Sequence, residues 1–373
     1  MQKKLKVAIV HYWLVSMRGG EKALEQICEI YPEADIFTLV CKPEKLSDAI
    51  LKHRIVTSFI QRLPFGVSKY QHYLPLMLFA IEAFDLTGYD LVITSDTNVT
   101  KGVVLPPGVL HVNYCHTPMR YAWDMYHDYL NNSGLGRVKK MIMSVVMSYL
   151  RVWDVAASNR VDYFIANSGN VRRRIAKHYR RDAEVVFPPV SVHDFDLGRG
   201  EGEFYLMAGQ IIPYKRVDLA VDAFNRSGRE LVIIGEGSDL AKLKAKAKKN
   251  VRFLGHQSFA SLRDHFARCK AFIFPGEEDF GITLLEAQAC GRPVIAYAKG
   301  GALETVADGS TGLFFSEQDA ESLNAAVDRY ENGDHAITAD KCRENALKYS
   351  NERFREHFKT FISNALSEHR ARH

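Results

Sequence analysis

The sequence has no long apolar run. A membrane-crossing helix needs about 20 mostly apolar residues. The longest charge-free stretch, residues 102–119, is interrupted by Pro106, Pro107 and Pro118 and reads as strand and loop. The next candidate, residues 141–150, is bounded by Lys140 and Arg151. No spanning segment is therefore expected. The apolar stretch at residues 5–10 carries Lys6 and is too short for a signal-peptide core, which points to a chain that is not exported. Cysteine is sparse: six residues, at 28, 41, 115, 269, 290 and 342, form no CxxC pair and no zinc spacing. A disulfide scaffold and a zinc module are excluded, and reduced thiols are expected. Neither GxGxxG nor the Walker spacing occurs, and there is no internal repeat or low-complexity tract.

What is present is the composition of a folded protein. Of 373 residues, 47% are apolar and 25% charged, which excludes disorder, collagen and coiled coil as the main architecture. The length suits two domains of roughly 150–200 residues. The net charge of +5 is unevenly placed. Residues 137–181 hold eleven Lys/Arg against Asp154 and Asp162, a net +9, so the remainder is slightly acidic. Such a stretch suits an anionic partner. Nucleic acid is set aside because no recognised binding module accompanies the charge. Residues 141–150 have helical apolar spacing between Arg137, Lys139, Lys140 and Arg151, and Arg172, Arg173 and Arg174 add a second cluster. Basic ends on an apolar helix fit an anionic membrane surface; the alternative is a core helix with solvated charges.

Short apolar runs alternate with amphipathic segments throughout, the pattern of parallel sheets built from βαβ units. Residues 6–10, 91–94, 111–114 and 163–166 read as strands of a first half, with a helix at 21–30. The pattern restarts with strands at 204–208, 231–234, 251–254, 271–274 and 293–296, and helices at 217–225, 238–249, 261–268, 283–290 and 302–307. The pair Pro188-Pro189 and the polar stretch 191–202 make a hinge. Three units follow: 1–188, 189–350, and a helical segment 351–373 whose Phe354, Phe358 and Phe361 need a partner surface, expected on the first domain. Glycines stand at strand ends, where a backbone can approach a phosphate. They are Gly19-Gly20, Gly209, Gly235, Gly237, Gly255, Gly281 and Gly300-Gly301.

The chemistry concentrates at residues 278–286, EDFGITLLE, after the strand 271–274. Two carboxylates eight apart straddle a glycine turn and a helix start, and amides at Gly281 and Ile282 can hold an anion between them. This segment resembles the E-x7-E motif of retaining glycosyltransferases of the two-domain GT-B fold, in the GT4 group that includes bacterial mannosyltransferases of surface polysaccharide synthesis. The resemblance continues through residues 209–216 (GQIIPYKR), 234–237 (IGEG), 253–255 (FLG), 300–304 (GGALE), 308–309 and 311–312. In the first half, residues 18–21, 114–118, 120–124 and 166–168 look like the branch of GDP-mannose-dependent O-antigen transferases.

The resemblance implies two Rossmann-like domains facing across a cleft, and transfer of a hexose, mannose from GDP-mannose, onto a lipid-linked oligosaccharide in lipopolysaccharide or related polysaccharide synthesis. Catalytic roles fall to His116, beside the reacting sugar, and to Glu278 and Lys215. Glu278 binds sugar hydroxyls, Glu286 the ribose, and Lys215, helped by Arg216, the diphosphate. Phe280, Gly281, Ile282 and Thr283 line sugar and phosphate. Gln210, Gly235, Glu236, Leu254 and His256 complete the donor site, and Gly19 and Gly20 close over the diphosphate. Position 210 departs from the family, where a second cation is common. Tyr121, Trp123, Lys139, Lys140 and Arg172–Arg174 are acceptor or membrane candidates. No metal or other cofactor is expected; Asp194-Phe195-Asp196 has DxD spacing but lies in the linker. A peripheral position on the cytoplasmic face of the inner membrane follows. The alternatives are a UDP-sugar donor, a sugar-nucleotide epimerase, and a non-catalytic sugar-nucleotide-binding scaffold.

Overall fold

The computed structural model describes residues 4–132, 136–198, 200 and 202–372. The chain forms two compact units, Met1–Pro188 with Phe354–His373, and Pro189–Arg353.

Unit 1 carries a seven-stranded sheet in the order β3-β2-β1-β4-β5-β6-β7. Its strands are β1 Val7–His11, β2 Asp35–Thr38, β3 Ile55–Thr57, β4 Leu91–Asp96, β5 Leu110–Cys115, β6 Tyr163–Ala166 and β7 Ala183–Val185. All pairings are parallel. Every residue of β1, β4 and β5 is buried, as strands covered on both faces must be. The sequence reading finds these central strands within a residue or two and misses β2, β3 and β7. Three or four residues carry too little periodicity to register.

Unit 2 repeats the plan with six parallel strands in the order β10-β9-β8-β11-β12-β13. They are β8 Phe204–Ala208, β9 Leu231–Ile234, β10 Val251–Gly255, β11 Cys269–Phe274, β12 Val294–Tyr297 and β13 Gly312–Phe315. The motif residues Asp308 and Thr311 serve the turn into β13: Asp308 accepts from the Phe314 amide at 3.1 Å and Thr311 from the Ala307 amide at 2.9 Å.

The terminal helix, Asn351–Arg372, returns to unit 1. Phe354, Phe358, Ile362 and Ala365 are buried in the cluster that holds Ile9 of β1 and Val112 and Tyr114 of β5. The Tyr114 ring meets Phe354 and Phe358 at 5.7 and 6.1 Å. Phe361 sits at the margin of that contact, against Tyr163.

The apolar segment 141–150 is only the middle of a 22-residue helix, Arg137–Ser158. By length and composition alone this helix could cross a membrane, a test that the core helix of a soluble protein also passes. Lys139, Lys140 and Arg151 interrupt the apolar run, so counting consecutive apolar residues misses it. One face packs on unit 1 through Met147, Leu150, Asp154 and Ala157. Asp154 is completely buried and pairs with Lys101, which is 1% exposed, at 2.5 Å. The same ammonium contacts Asp96 Oδ2 at 2.9 Å and the Asn98 carbonyl at 3.0 Å. Burial alone would raise the Asp96 carboxyl; Lys101, together with bonds from the Asn98 amide and Thr100, outweighs it and holds the group below the usual carboxylate value. Truncating one member of such a buried pair strands the other charges and costs about 3–5 kcal/mol. Lys101→Ala should lower the urea midpoint of unit 1 by a corresponding amount. A midpoint within error of wild type would refute this role.

Candidate functional site

In each sheet the winding direction reverses once. The reversal lies between β1 and β4 in unit 1 and between β8 and β11 in unit 2. Loops leaving the carboxyl ends of the strands at such a point diverge and leave a crevice, where α/β proteins bind ligands.

At the unit 2 reversal, β8 runs into Gly209-Gln210 and a short turn, Pro213–Lys215. The strand β11 runs into Pro275-Gly276 and the 277–281 loop. A small pocket between them is lined by Gly209, Gln210, Lys215, Phe274, Pro275 and Gly276 among others. Lys215 Nζ forms an ion pair with Glu278 Oε1, both side chains about one-fifth exposed. The ammonium also lies over Gly209, whose φ of +140° and missing side chain leave the space open. The 278–281 loop is held from behind: the Gly301 amide donates to the Glu278 carbonyl at 2.8 Å, and a Cβ on Gly301 would overlap the Phe280 backbone. Gly235 is equally constrained, at φ +144° with the Gly209 carbonyl where its Cβ would be. The glycines at 235 and 300–301 thus pack loop against loop.

Gly281, at φ +88°, starts the helix Ile282–Ala289, and no side chain caps it. Its first amides carry the positive end of the helix dipole. Thr283 and Glu286 are half-buried on this helix, and Phe280 is buried beside it against Tyr349 at 5.6 Å. The remaining donor-site residues, Gln210, Glu236 and His256, are exposed at the carboxyl ends of β8, β9 and β10, with Leu254 half-buried in β10. Arg216 behaves differently. Its guanidinium is held by Asp218 at 3.1 Å and by Gln318 Oε1 at 3.0 Å. Gln318 in turn donates to the Pro275 carbonyl at 2.8 Å. Arg216 therefore braces the β11 loop, and the cation at Glu278 is Lys215.

At the unit 1 reversal, His116 follows β5 and is 9% exposed. Its Nε2 lies 2.8 Å from Ser95 Oγ, at the end of β4. Burial, reinforced by the neighbouring His11, pushes its pKa down to about 3, so the ring is neutral at physiological pH. Gly20 lies in the first turn of the helix Gly19–Ile30, where a Cβ would overlap the Tyr12 hydroxyl. His11 and Ser95 escaped the sequence reading because residues 84 apart in the chain show no common pattern.

The acceptor candidates divide. The Trp123 indole donates to Asp154 at 2.8 Å, and the Tyr121 hydroxyl bonds Asn98, so both point into the fold. Arg174 pairs with Asp124 at 2.9 Å and is only 12% exposed. Arg172 and Arg173 are exposed, as is Lys139, while Lys140 is half-buried. On the helix Arg137–Ser158 the outward face is apolar: Val138, Met141, Ile142, Val145, Tyr149 and Val152 are each 57–70% exposed at helical spacing. The helix holds no acidic residue besides buried Asp154. An outward helix face is ordinarily polar.

Two doubly wound parallel sheets, each with one reversal point, together with the likeness to solved structures define a protein of the GT-B fold. Residues 192–349, nearly all of unit 2, match the family described as Glycosyl transferases group 1. Over 176 residues the chain is 27% identical to an uncharacterized glycosyltransferase of Methanocaldococcus jannaschii, covering 46% of this chain and 50% of the relative. A GDP-mannose-dependent alpha-mannosyltransferase of Mycolicibacterium smegmatis is 27% identical over 300 residues, 76% of this chain and 75% of the relative. The chain spans about half or less of the length of several curated relatives that it matches. Among solved structures, the Anabaena protein HepE in complex with UDP-glucose superposes with a TM-score of 0.69 at 16% identity, covering 96% of this chain and 99% of that one. At that identity the likeness concerns the fold.

Gly235→Ala places a methyl group against the Gly209 carbonyl at a backbone angle that L-residues avoid. The expected loss is about 2 kcal/mol or more of unit 2 stability. Differential scanning calorimetry of the variant checks this, and an unshifted transition would contradict it.

Proposed function

We propose that this chain is a retaining glycosyltransferase that moves mannose from GDP-mannose onto a lipid-linked oligosaccharide at a membrane surface. The observation that carries the reading is the Lys215–Glu278 pair beside the uncapped helix start at Gly281, at the reversal point of the unit 2 sheet. Breaking the bond between sugar C1 and the phosphate oxygen leaves extra negative charge on the diphosphate. A fixed ammonium and oriented amides stabilise that charge, the preorganised electrostatic device of many enzymes. The acceptor oxygen bonds C1 from the face the phosphate leaves, and its proton passes to the departing phosphate, so configuration is retained. Glu278 accepts from sugar hydroxyls and Glu286 from the ribose. Lys215 supplies positive charge without a metal ion. The GDP-mannose-dependent relative favours the guanine donor. The UDP-glucose complex of HepE supports a UDP-sugar as the second reading.

A thermal-shift panel with GDP, UDP, ADP and their sugars separates these. Stabilisation by GDP-mannose is expected, a response to UDP compounds alone would reject the mannose assignment, and silence with every nucleotide would sink the donor site. Lys215→Ala and Glu278→Ala should each abolish sugar transfer with the fold intact by circular dichroism.

The membrane part of the reading is supported by the outward apolar face of Arg137–Ser158 with Arg137, Lys139, Arg172 and Arg173 exposed nearby in the chain. Apolar side chains enter the acyl boundary while cations meet anionic headgroups, each worth about 1 kcal/mol near the surface. In sedimentation with phosphatidylglycerol-containing vesicles, Ile142→Glu combined with Val145→Glu should shift most of the bound protein to the supernatant. Undiminished binding would rule this face out as the contact.

A further inference from the structure

Behind His116 stands a buried polar group that the transfer chemistry leaves unused. His11, at the end of β1, is fully buried, and the neutral, 9%-exposed His116 reaches it through a single hydroxyl. Ser95 Oγ lies 3.0 Å from His11 Nδ1 and 2.8 Å from His116 Nε2. On its other side His11 turns Nε2 toward Glu21 Oε1 at 3.9 Å, and that nitrogen has no hydrogen-bond partner among the described residues. Glu21 is 1% exposed, and its other oxygen accepts from the Arg18 amide at 2.9 Å. Tyr12 closes the group from above, its ring 4.0 Å from His11 and edge-on to His116 at 6.2 Å.

A hydroxyl has one proton to give, so Ser95 cannot donate to both rings. The direction is set at the far end. Burial raises the Glu21 carboxyl, but the facing His11 and the Glu21 and Arg18 amides bring it below its ordinary value, so the group is a carboxylate. A carboxylate facing Nε2 at 3.9 Å favours a hydrogen on that nitrogen. In the tautomer with Nε2–H turned to Glu21, His11 has its lone pair on Nδ1 and accepts from Ser95. The Ser95 oxygen then accepts from His116 Nε2–H.

We propose that the Glu21 carboxylate sets the direction of the hydrogen-bonded line His11–Ser95–His116 and holds His116 as its Nε2–H tautomer, leaving Nδ1 as an acceptor for a ligand hydroxyl. His11, Ser95 and Glu21 are positioning residues. The role of Nδ1 toward a sugar rests on the transferase reading; the tautomer does not.

Long-range proton–nitrogen spectra of histidine-labelled full-length protein at pH 8 decide the matter, with the His116 signals assigned by their loss in His116→Gln. Wild type should show Nε2–H at His116. Glu21→Gln keeps an oxygen for the Arg18 amide while presenting an NH2 to His11. Every donor in the line then reverses, and His116 should change to Nδ1–H. A wild-type Nδ1–H form, or an unchanged tautomer in Glu21→Gln, would overturn the proposal. Should the variant fail to fold, Ser95→Ala serves instead: it should give both tautomers at His116, and a single unchanged form would refute the line. With donor turnover available, Ser95→Ala should lower kcat about 10- to 100-fold at unchanged donor KM, the scale of general positioning and proton-transfer effects. A rise in KM alone would contradict positioning. Because the spectra need no substrate, failure of the transferase reading leaves the tautomer result standing.

Discussion

Unit 1 is organised around one buried cation. Lys101 is held between Asp96 at the end of β4 and Asp154 on the helix Arg137–Ser158, with Thr100, Trp123 and Tyr179 bonding the same two carboxylates. An ammonium this deep is tolerated only when its partners and hydrogen bonds replace water. Three consequences follow from satisfying it. The helix is pinned by its inner face, so its apolar residues at 138–152 must turn outward. The loop with Tyr121 and Trp123 is drawn inward. Ser95, next to Asp96, is placed between two histidines.

Unit 2 depends on a different constraint, the close approach of backbone to backbone. Gly235, Gly276 and Gly301 each stand where a side chain would crowd a neighbouring loop. Closing those gaps brings Lys215 from one loop to Glu278 on another. The charged pair lies in a half-buried crevice beside the start of the helix Ile282–Ala289, which no side chain caps.

The basic stretch that dominates the charge count is less uniform than its sequence. Arg151, Arg160 and Arg181 hydrogen-bond backbone carbonyls at 122, 102 and 158–162, and Arg174 pairs with Asp124. These cations tie helices and loops of unit 1 to one another. Arg137, Lys139, Arg172, Arg173, Lys177 and Arg180 remain on the surface. Roughly the same charge therefore serves two purposes, and only the exposed portion bears on a partner.

The alternation of apolar runs was enough to read two parallel α/β halves, because a strand covered on both faces must be apolar throughout. The 278–286 segment was legible for a similar reason: its carboxylates, glycine and helix start are local in the chain. Short edge strands, the full length of the Arg137–Ser158 helix and the return of the terminal helix to β1 and β5 were settled by packing partners far away in sequence. The same holds for the site. Sequence alone marked Lys215, Glu278 and His116, but the engagement of Arg216 with Gln318, and of His116 with Ser95 and His11, arises only where strands from distant segments end side by side. Local chemistry can be spelled by neighbours in the chain. Which donor meets which acceptor is a matter of three-dimensional proximity, and the tertiary structure decides it.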